Sequence, residues 1–238
     1  MAPSLANGYD VSVVIPARNE ECYIATALRS VASQTWPRER LEVVVVDNGS
    51  TDNTAEVVKA FSEQYPTLAV RLLLEATPGV GRAKNRGVEV AAGRWILFMD
   101  ADSRMKRDLL EHVIAWTGKG YQGGSICILA DSSDLLDRAF FGLLEFGKLT
   151  FKIQAQMFFV SRELFLSVGG FAEDMHLAED RDFLIRAQQT GAQLCQVRDS
   201  WIATSPRRLH RFPFRLSMVI MLVRWSLANW GIGRRWRY

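Results

Sequence analysis

The most informative stretch of this 238-residue chain for its fold is Leu41-Glu-Val-Val-Val-Val-Asp47-Asn-Gly-Ser-Thr-Asp52. Four consecutive valines are typical of a strand that is buried on both faces of a parallel sheet. The polar residues that follow are those of a turn leading into a helix. The segment therefore predicts one βα step, with carboxylates emerging where the strand ends.

Similar steps repeat on either side of this segment. Short apolar runs that predict strands occupy residues 11–16, 69–75 and 94–100. Helical spacing occupies residues 20–34, 53–64 and 82–92, with Asn53 and Glu56 at capping-box spacing and Gly93 as a helix stop. The alternation predicts an α/β fold with a mainly parallel central sheet flanked by helices.

The second half predicts mixed elements that complete the same sheet. We expect helices near residues 106–116, 135–146 and 181–189, strands near 125–129, 156–160 and 193–197, and a turn at 169–171. Residues 157–159 and 135–146 are apolar enough to be assigned to the core. The predicted division is a loose lead-in (1–10), one domain (11–205, with halves 11–103 and 104–205) and a C-terminal segment (206–238).

Composition indicates a globular protein, with 48% hydrophobic and 23% charged residues. The three cysteines have no metal-binding spacing, which favours a reduced, cytoplasmic setting. Residues 1–10 lack the basic start and apolar stretch of a secretory signal.

The C-terminal segment is strongly basic. Residues 206–238 contain eight arginines and no acid, whereas the remainder has 21 basic and 26 acidic residues. Such a segment suits nucleic acid, an anionic membrane surface or substrate phosphates. No recognised nucleic-acid module accompanies the arginines, so we expect no nucleic-acid partner.

Within this segment, residues 212–230 are apolar with helical periodicity. Arg215 and Arg224 leave an apolar stretch shorter than the roughly 20 residues that span a bilayer. Trp225, Trp230 and Trp236 are typical of an interfacial element, which would make the protein peripheral on the cytosolic membrane face. A helix packed on the domain is an equal alternative.

Asp100 and Asp102 follow an apolar strand at two-residue spacing. In extended backbone this spacing points both carboxylates to one face. Mg²⁺ and Mn²⁺ prefer oxygen ligands and are commonly completed by substrate phosphates. The pair therefore predicts a site for a metal-bound diphosphate.

Two further features belong to the same predicted sheet edge. Asp47 is placed to accept a hydrogen bond from an N–H group of a nucleobase, whereas Asp52 is better explained as a turn cap. The segment from Gly79 to Gly87 combines glycines at a helix start with three cations, of which Arg82 and Lys84 are the candidates for binding phosphate.

Taken in order, four motifs resemble the donor half of family 2 glycosyltransferases. They are Val13-Val-Ile-Pro16-Ala-Arg-Asn-Glu20, Val45-Val-Asp47-Asn-Gly-Ser-Thr-Asp52, Gly81-Arg-Ala-Lys-Asn-Arg-Gly87 and Phe98-Met-Asp100-Ala-Asp102. Gly169-Gly-Phe171 and Ala178-Glu-Asp180 are similar to that family's acceptor-side segment.

The resemblance implies a GT-A fold, an NDP-sugar donor, Mn²⁺ or Mg²⁺, and transfer with inversion to a glycan or lipid-linked acceptor, with a UDP-sugar favoured over a GDP-sugar. It implies that Asp102 binds the metal, that Asp100 lies beside the metal or the ribose, and that Asp180 is the catalytic base. The same resemblance assigns residues around the donor, namely Pro16, Arg18, Glu20, Asp47 and Lys84.

Arg207, Arg208 and His210 fall where related enzymes close a loop over the donor. The arginines would suit the diphosphate, and His210 is a further candidate metal ligand. From the residues alone, the competing role of Asp180 is to cap a helix starting at Arg181.

Family members often have two consecutive acids where this chain has Asp47-Asn48. Because the first acid is retained, we expect the difference to affect only secondary contacts. The Q-x-x-R-W string of processive synthases is replaced by Met221-Leu-Val-Arg224-Trp225, so single-sugar transfer is expected. A nucleotidyltransferase that forms an NDP-sugar, or an inactive donor-binding protein, is the alternative.

Overall fold

The computed structural model describes residues 8–150, 156–175 and 178–210, together with the single positions Met218, Ile220 and Val223. The strands of this part are Val11–Ala17 (β1), Leu41–Asp47 (β2), Ala69–Leu74 (β3), Trp95–Phe98 (β4), Ser103–Met105 (β5), Gly123–Ala130 (β6), Phe158–Ser161 (β7) and Leu194–Thr204 (β8). The α-helices are Ile24–Ala32 (α1), Thr54–Gln64 (α2), Val80–Val90 (α3), Leu109–Thr117 (α4), Leu135–Thr150 (α5), Arg162–Val168 (α6) and Glu179–Gln189 (α7), with short 3-10 helices at Arg38–Arg40 and Pro206–His210.

One mixed sheet carries all eight strands, in the order β3-β2-β1-β4-β7-β6-β8-β5. β3, β2, β1 and β4 are parallel, as the alternating pattern of the first half predicts. β7 runs antiparallel to both β4 and β6, β8 is parallel to β6, and β5 is antiparallel to β8. The prediction of an α/β fold with flanking helices is confirmed.

Register brings the polar strand ends together. Ala17 at the end of β1 pairs with Asp47 at the end of β2, and β4 runs alongside β1 in the same direction. Because the carboxyl ends of parallel strands meet at one sheet edge, the residues after β1, β2 and β4 share that edge.

Both faces of the sheet are buried, which explains the uninterrupted valines of β2. Val43 and Val45 pack in one core cluster, and Val44 and Val46 pack in the other. Met157, Phe158 and Phe159 are at most 5% exposed, so their assignment to the core is confirmed. Burial of apolar side chains on both faces is the main stabilising contribution to this part of the fold.

Helix α5 departs from the core assignment made for residues 135–146. Phe140 and Phe141 face the core, but Leu135, Leu136, Leu143 and Phe146 are 58–77% exposed. The assignment was wrong for this outer face, because the stretch is apolar on both sides and the sheet covers only one of them.

Two further elements differ from the prediction, because the local sequence signals for them are weak. α6 follows β7 directly and was not predicted; its N-cap is Ser161, whose side chain accepts from the backbone N–H of Leu164. The last strand extends beyond residue 197 to Thr204, because its second half pairs with β5.

Two predicted helix-end signals, the capping box at Asn53 and the stop at Gly93, need correction. At the start of α2, Asp52 accepts from the backbone N–H of Thr54, whereas the Asn53 amide donates to Glu21. α3 ends at Val90, before Gly93. Gly93 instead passes so close to Ser12 that a Cβ atom would lie 2.5 Å from the backbone nitrogen of Ser12.

Most of the predicted lead-in (1–10) and C-terminal segment (206–238) cannot be compared with prediction, because 1–7 and nearly all of 211–238 lie outside the described residues. The same holds for the string at 221–225, apart from Val223. Met218, Ile220 and Val223 are helical, and Met218 packs against the larger core cluster. In the described part of the chain, no helix is long and apolar enough to cross a membrane.

Candidate active site

A cavity of about 600 Å³ opens at the sheet edge where β1, β2 and β4 end. Six residues singled out from the sequence line it, namely Pro16, Arg18, Glu20, Asp100, Asp102 and Arg208. The loop Thr77-Pro-Gly79 and Asn48 form part of its wall. The cavity therefore combines three carboxylates with two exposed arginines.

Asp100 and Asp102 line this cavity through a turn instead of the extended backbone expected from their spacing. β4 ends at Phe98, and the backbone N–H of Ser103 donates to the carbonyl of Asp100. Asp100 is half-buried and Asp102 is buried. Burial raises the pKa of Asp100, with Lys84 acting in the opposite direction.

Arg207 joins two carboxylates of the cavity. Its Nε donates to Asp102 Oδ2 over 3.0 Å, and one of its terminal nitrogens donates to Glu20. The guanidinium lies 4.4 Å from the ring centroid of Tyr23, within cation–π distance. The 3-10 helix Pro206–His210 is thereby attached to the end of β1 and to the turn after β4.

Glu20 is buried and has one carboxylate oxygen, Oε2, without a hydrogen-bond partner. Burial raises the pKa of Glu20 even though Arg207 lowers it. A buried oxygen of this kind is usually satisfied by a donor or a cation.

The described residues supply only some of the ligands that a divalent cation needs. Asp100 and Asp102 supply oxygen ligands of the kind that Mg²⁺ and Mn²⁺ prefer. No group of three or more His, Cys, Asp and Glu side chains at metal-binding positions occurs among the described residues. A cation held here would take its remaining ligands from bound phosphate or water.

A second charged cluster lies at the start of α7, close enough to Asp100 of the cavity for their charges to interact. Lys84 of α3 donates to Asp180 Oδ1 over 2.5 Å and to Glu179 Oε1 over 3.0 Å. Its ammonium also lies 5.2 Å from the ring centroid of Phe171. Lys84 was expected beside the donor, but it is 3% exposed and faces these two carboxylates.

The charges in this cluster do not balance. Burial raises the pKa of Asp180 to about 7, although Lys84 opposes this, and Glu179 and Asp100 add to the increase. Burial also raises the pKa of Glu179, but Lys84 outweighs it and holds that pKa below its ordinary value. Burial lowers the pKa of Lys84, but the charges of Asp180 and Glu179 outweigh it and raise that pKa, so Lys84 stays charged. Asp180, with its pKa raised to about 7, is therefore the group that titrates near neutral pH.

Asp180 does not cap its helix. α7 begins at Glu179, and its N-cap is Ala178, which has a left-handed backbone conformation with φ 61°. Asp180 therefore lies in the first turn with its side chain on Lys84, which leaves its predicted capping role without support.

Asp47 and Asn48 organise the loops around the cavity. Asp47 Oδ1 accepts from the backbone N–H of Ser50. The Asn48 amide donates to the carbonyls of Glu75 and Thr77, and its oxygen accepts from the N–H of Gly79. Asn48 thus fixes the cavity wall, a role that its position in the motif did not indicate.

Two predicted site residues, Arg82 and His210, have partners outside the cavity. Arg82 pairs with Glu173 over 2.7 Å, at the surface. His210 Nε2 lies 3.0 Å from Asp137 Oδ1, on α5, and within the described part of the chain it belongs to no group of three possible metal ligands. Asp52 binds Thr54 and Glu21, as its predicted role in the turn requires.

Two functional candidates were missed by sequence reasoning. Glu179 stands within the acceptor-side motif, so its position beside Asp180 was a usable signal. Tyr23, which stacks on Arg207, gave no signal, because the two residues are 184 positions apart and meet only in the folded chain.

Comparison with solved structures identifies the fold. TarS of S. aureus in complex with UDP superposes with a TM-score of 0.67 at 21% identity, covering 94% of this chain and 73% of that one. The mannosyltransferase PcManGT from Pyrobaculum calidifontis, in complex with GDP-Man and Mn²⁺, gives 0.68 at 24% identity, covering 90% and 64%. The fold is therefore the GT-A fold of glycosyltransferases.

Sequence comparison identifies the family. Residues 12–164 match the profile of Glycosyl transferase family 2. A PGL/p-HBAD biosynthesis glycosyltransferase of Mycobacterium bovis BCG is 33% identical over 184 residues, which are 74% of this chain and 68% of that protein. The chain belongs to glycosyl transferase family 2. It spans only 28% and 39% of the length of two further relatives.

Proposed function

We propose that the protein is an inverting glycosyltransferase that moves a single sugar from an NDP-sugar to an acceptor hydroxyl or phosphate. One observation carries the proposal: Asp180 is a half-buried carboxylate whose pKa burial raises to about 7, and it is close enough to Asp100 in the cavity lining for the charge of Asp100 to add to that rise. A base that titrates near neutral pH and a site for anionic phosphate are the two groups such a transfer needs.

In the proposed reaction, Asp180 takes the proton of the acceptor hydroxyl. The acceptor oxygen forms a bond to the anomeric carbon from the face opposite the diphosphate. The bond between that carbon and the diphosphate oxygen breaks, and the NDP leaves with the electron pair. Attack opposite the leaving group inverts the anomeric configuration.

Lys84 and Glu179 are positioning residues in this proposal. Lys84 holds the Asp180 side chain and lowers its pKa relative to burial alone, so that a deprotonated fraction exists at neutral pH. Glu179 shares the same ammonium and fixes its position between α3 and α7.

The donor lies in the cavity under this proposal. Arg18 and Arg208 are exposed cations in its lining and suit the phosphates. Asp102, with Asp100 beside it, would hold Mn²⁺ or Mg²⁺, which when bound neutralises charge on the leaving diphosphate. Pro16, Asp47 and the loop at Thr77 are assigned to the nucleoside side.

The donor and acceptor classes remain part of the proposal. TarS was solved with UDP and PcManGT with GDP-Man and Mn²⁺, which supports an NDP-sugar. We propose a UDP-sugar as the donor in preference to a GDP-sugar. The proposal also includes a glycan or lipid-linked acceptor, a cytoplasmic location, and contact of residues 206–238 with an anionic membrane surface.

The test is turnover of a panel of NDP-sugars with Mn²⁺ or Mg²⁺, with the anomeric configuration of the product read by NMR. We expect NDP release and an inverted product. A retained configuration would rule out the single-displacement step. Pyrophosphate release from a nucleoside triphosphate and a sugar phosphate would instead identify a nucleotidyltransferase.

A further inference from the structure

Asn48 connects two walls of the cavity. Its backbone N–H donates to the carbonyl of Ala17, at the end of β1, over 2.8 Å. Its side-chain amide donates to the carbonyls of Glu75 and Thr77 over 3.2 and 2.8 Å, and its Oδ1 accepts from the N–H of Gly79 over 2.7 Å. One residue therefore holds the loop after β3 at a fixed distance from the end of β1.

Both walls belong to the same cavity. Residues 16–18 line it from the end of β1, and residues 77–80 line it from the loop and the start of α3. β2 lies between β1 and β3 in the sheet, and Asn48 is the first residue after β2. The width of the cavity across the end of β2 is therefore set by what Asn48 binds.

The polar groups of the Asn48 side chain are used within the protein. The residue is 5% exposed, and both N–H groups of an asparagine amide are accounted for by the two carbonyls. No amide hydrogen is left for a ligand. Asn48 acts on a bound molecule through the position of the loop.

The loop itself has little other support from burial. Ala76, Thr77 and Pro78 are exposed. An exposed segment with few buried contacts opens easily, so its conformation depends on its hydrogen bonds. An amide is suited to this position because it donates twice and accepts once. A leucine of similar size would leave all three main-chain groups without that partner.

We propose that Asn48 is a specificity-determining residue, which positions residues 75–79 so that the cavity discriminates between nucleoside diphosphates with a one-ring and a two-ring base. Fixed walls favour the base that fits between them, whereas a movable wall admits both and must be ordered when either binds. The role of Asn48 rests on the proposed function, which supplies the class of ligand.

The test is calorimetric titration of UDP and of GDP, each with Mn²⁺, into the full chain. The unmodified protein should prefer one nucleotide by about tenfold or more. Asn48→Leu should weaken binding of the preferred nucleotide by about tenfold and bring the two dissociation constants to within about threefold of each other. In turnover, KM for the donor should rise while kcat at saturating donor stays within about twofold, because Asp180 and Lys84 are unchanged.

The matched control is Asn85→Leu. Asn85, on α3, also binds main-chain groups, since its amide donates to the carbonyl of Phe171 and its oxygen accepts from the N–H of Phe171. It lies outside the cavity lining. Both variants should lower the melting temperature, but Asn85→Leu should keep both nucleotide affinities and their ratio. A general loss of stability would change the two variants alike.

The role of Asn48 would be overturned by equal affinities of the unmodified protein for UDP and GDP, by an unchanged ratio in Asn48→Leu, or by an equal change of ratio in Asn85→Leu. Each of these leaves the proposed transfer in place. Absence of binding by either nucleotide would overturn both. If Asn48→Leu does not fold, hydrogen exchange of the unmodified protein decides: the preferred nucleotide should slow exchange in residues 77–80, and unchanged exchange there would contradict the role of the loop.

Discussion

Asp180 is subject to two opposing influences, burial and the ammonium of Lys84, and burial is the stronger. A base in this state is a carboxylate at slightly alkaline pH and a carboxylic acid below neutral pH. Variants of Asp180 therefore test which residue is the base, and variants of Lys84 test how the surroundings of Asp180 set its pKa.

Asp180→Asn should lower the transfer rate by about 10²- to 10⁴-fold, the usual contribution of a general base. NDP-sugar affinity should be kept, because the amide retains the size of the side chain. The matched control is Asp182→Asn, which is two residues along α7 and binds Arg186 instead. Equal rates for Asp180→Asn and the unmodified protein would exclude Asp180 as the base.

The pH–rate profile should show a fall in rate as the pH decreases through about 7, because Asp180 must be deprotonated to accept a proton. Lys84→Met removes the cation that lowers the pKa of Asp180, so the midpoint should move to higher pH. Lys84→Arg retains the charge and should restore a midpoint near the original. A midpoint that is the same in all three proteins would show that Lys84 does not act on the base.

Arg207→Ala should strengthen Mn²⁺ binding in the absence of a donor. Arg207 occupies oxygens of Asp102 and Glu20, and this contact must loosen before a cation can use them. Partly exposed ion pairs contribute about 1 kcal/mol, so an increase of roughly threefold to tenfold in affinity is expected by electron paramagnetic resonance. Arg104→Ala, which breaks the surface pair with Asp131, is the control and should change nothing. Weaker Mn²⁺ binding in Arg207→Ala would contradict the account.

Sequence reasoning identified the acids of the site but not their partners. Asp47, Asp100 and Asp102 could be predicted because strand ends are local signals. Lys84 was assigned to phosphate on the strength of neighbouring cations in Gly81-Arg-Ala-Lys-Asn-Arg-Gly87. Its contact with Asp180 joins residues 96 positions apart and depends on how α3 packs against α7.

At the level of elements, α3 shows how closely a helix approaches the sheet. A Cβ atom at Gly87 would lie 2.4 Å from a methyl carbon of Val14 and 3.3 Å from one of Val46. Glycine at this position lets α3 pack directly on β1 and β2, and it thereby sets the position of Lys84 on the same helix.

Gly87→Ala should reduce the free energy of unfolding by about 1–3 kcal/mol, the usual result of overpacking a core. Gly142→Ala provides the contrast, because a Cβ atom there would meet nothing within 4 Å. On an exposed helix it should increase stability by up to about 1 kcal/mol. Urea unfolding measures both changes. If the two substitutions have equal effects, the close packing of α3 is wrong.

Elements were predicted best where both faces of a strand are buried, as in β2, and least well where pairing is distant. β5 has three residues, and its identity as a strand depends on β8, which is almost 100 positions further along the chain. The outer face of α5 was misassigned because an apolar sequence does not indicate which side a sheet covers.

Across the whole molecule, the eight-stranded sheet brings two charged regions to one side. The cavity at the ends of β1, β2 and β4 carries Glu20, Asp100 and Asp102, and the start of α7 carries Asp180. The predicted halves, 11–103 and 104–205, each contribute to this arrangement, but the division between them stays a prediction.

We propose that these strand-end carboxylates bind an NDP-sugar together with a divalent cation. The most direct measurement is isothermal titration of UDP-sugars and GDP-sugars into the protein with Mn²⁺, compared with Asp102→Asn. We predict that at least one donor binds and that Asp102→Asn weakens its binding by about tenfold or more, as expected when a ligand of the cation is lost. If no donor binds, or if the variant binds the donor as tightly as the unmodified protein, the strand-end carboxylates do not form a site for an NDP-sugar and a divalent cation.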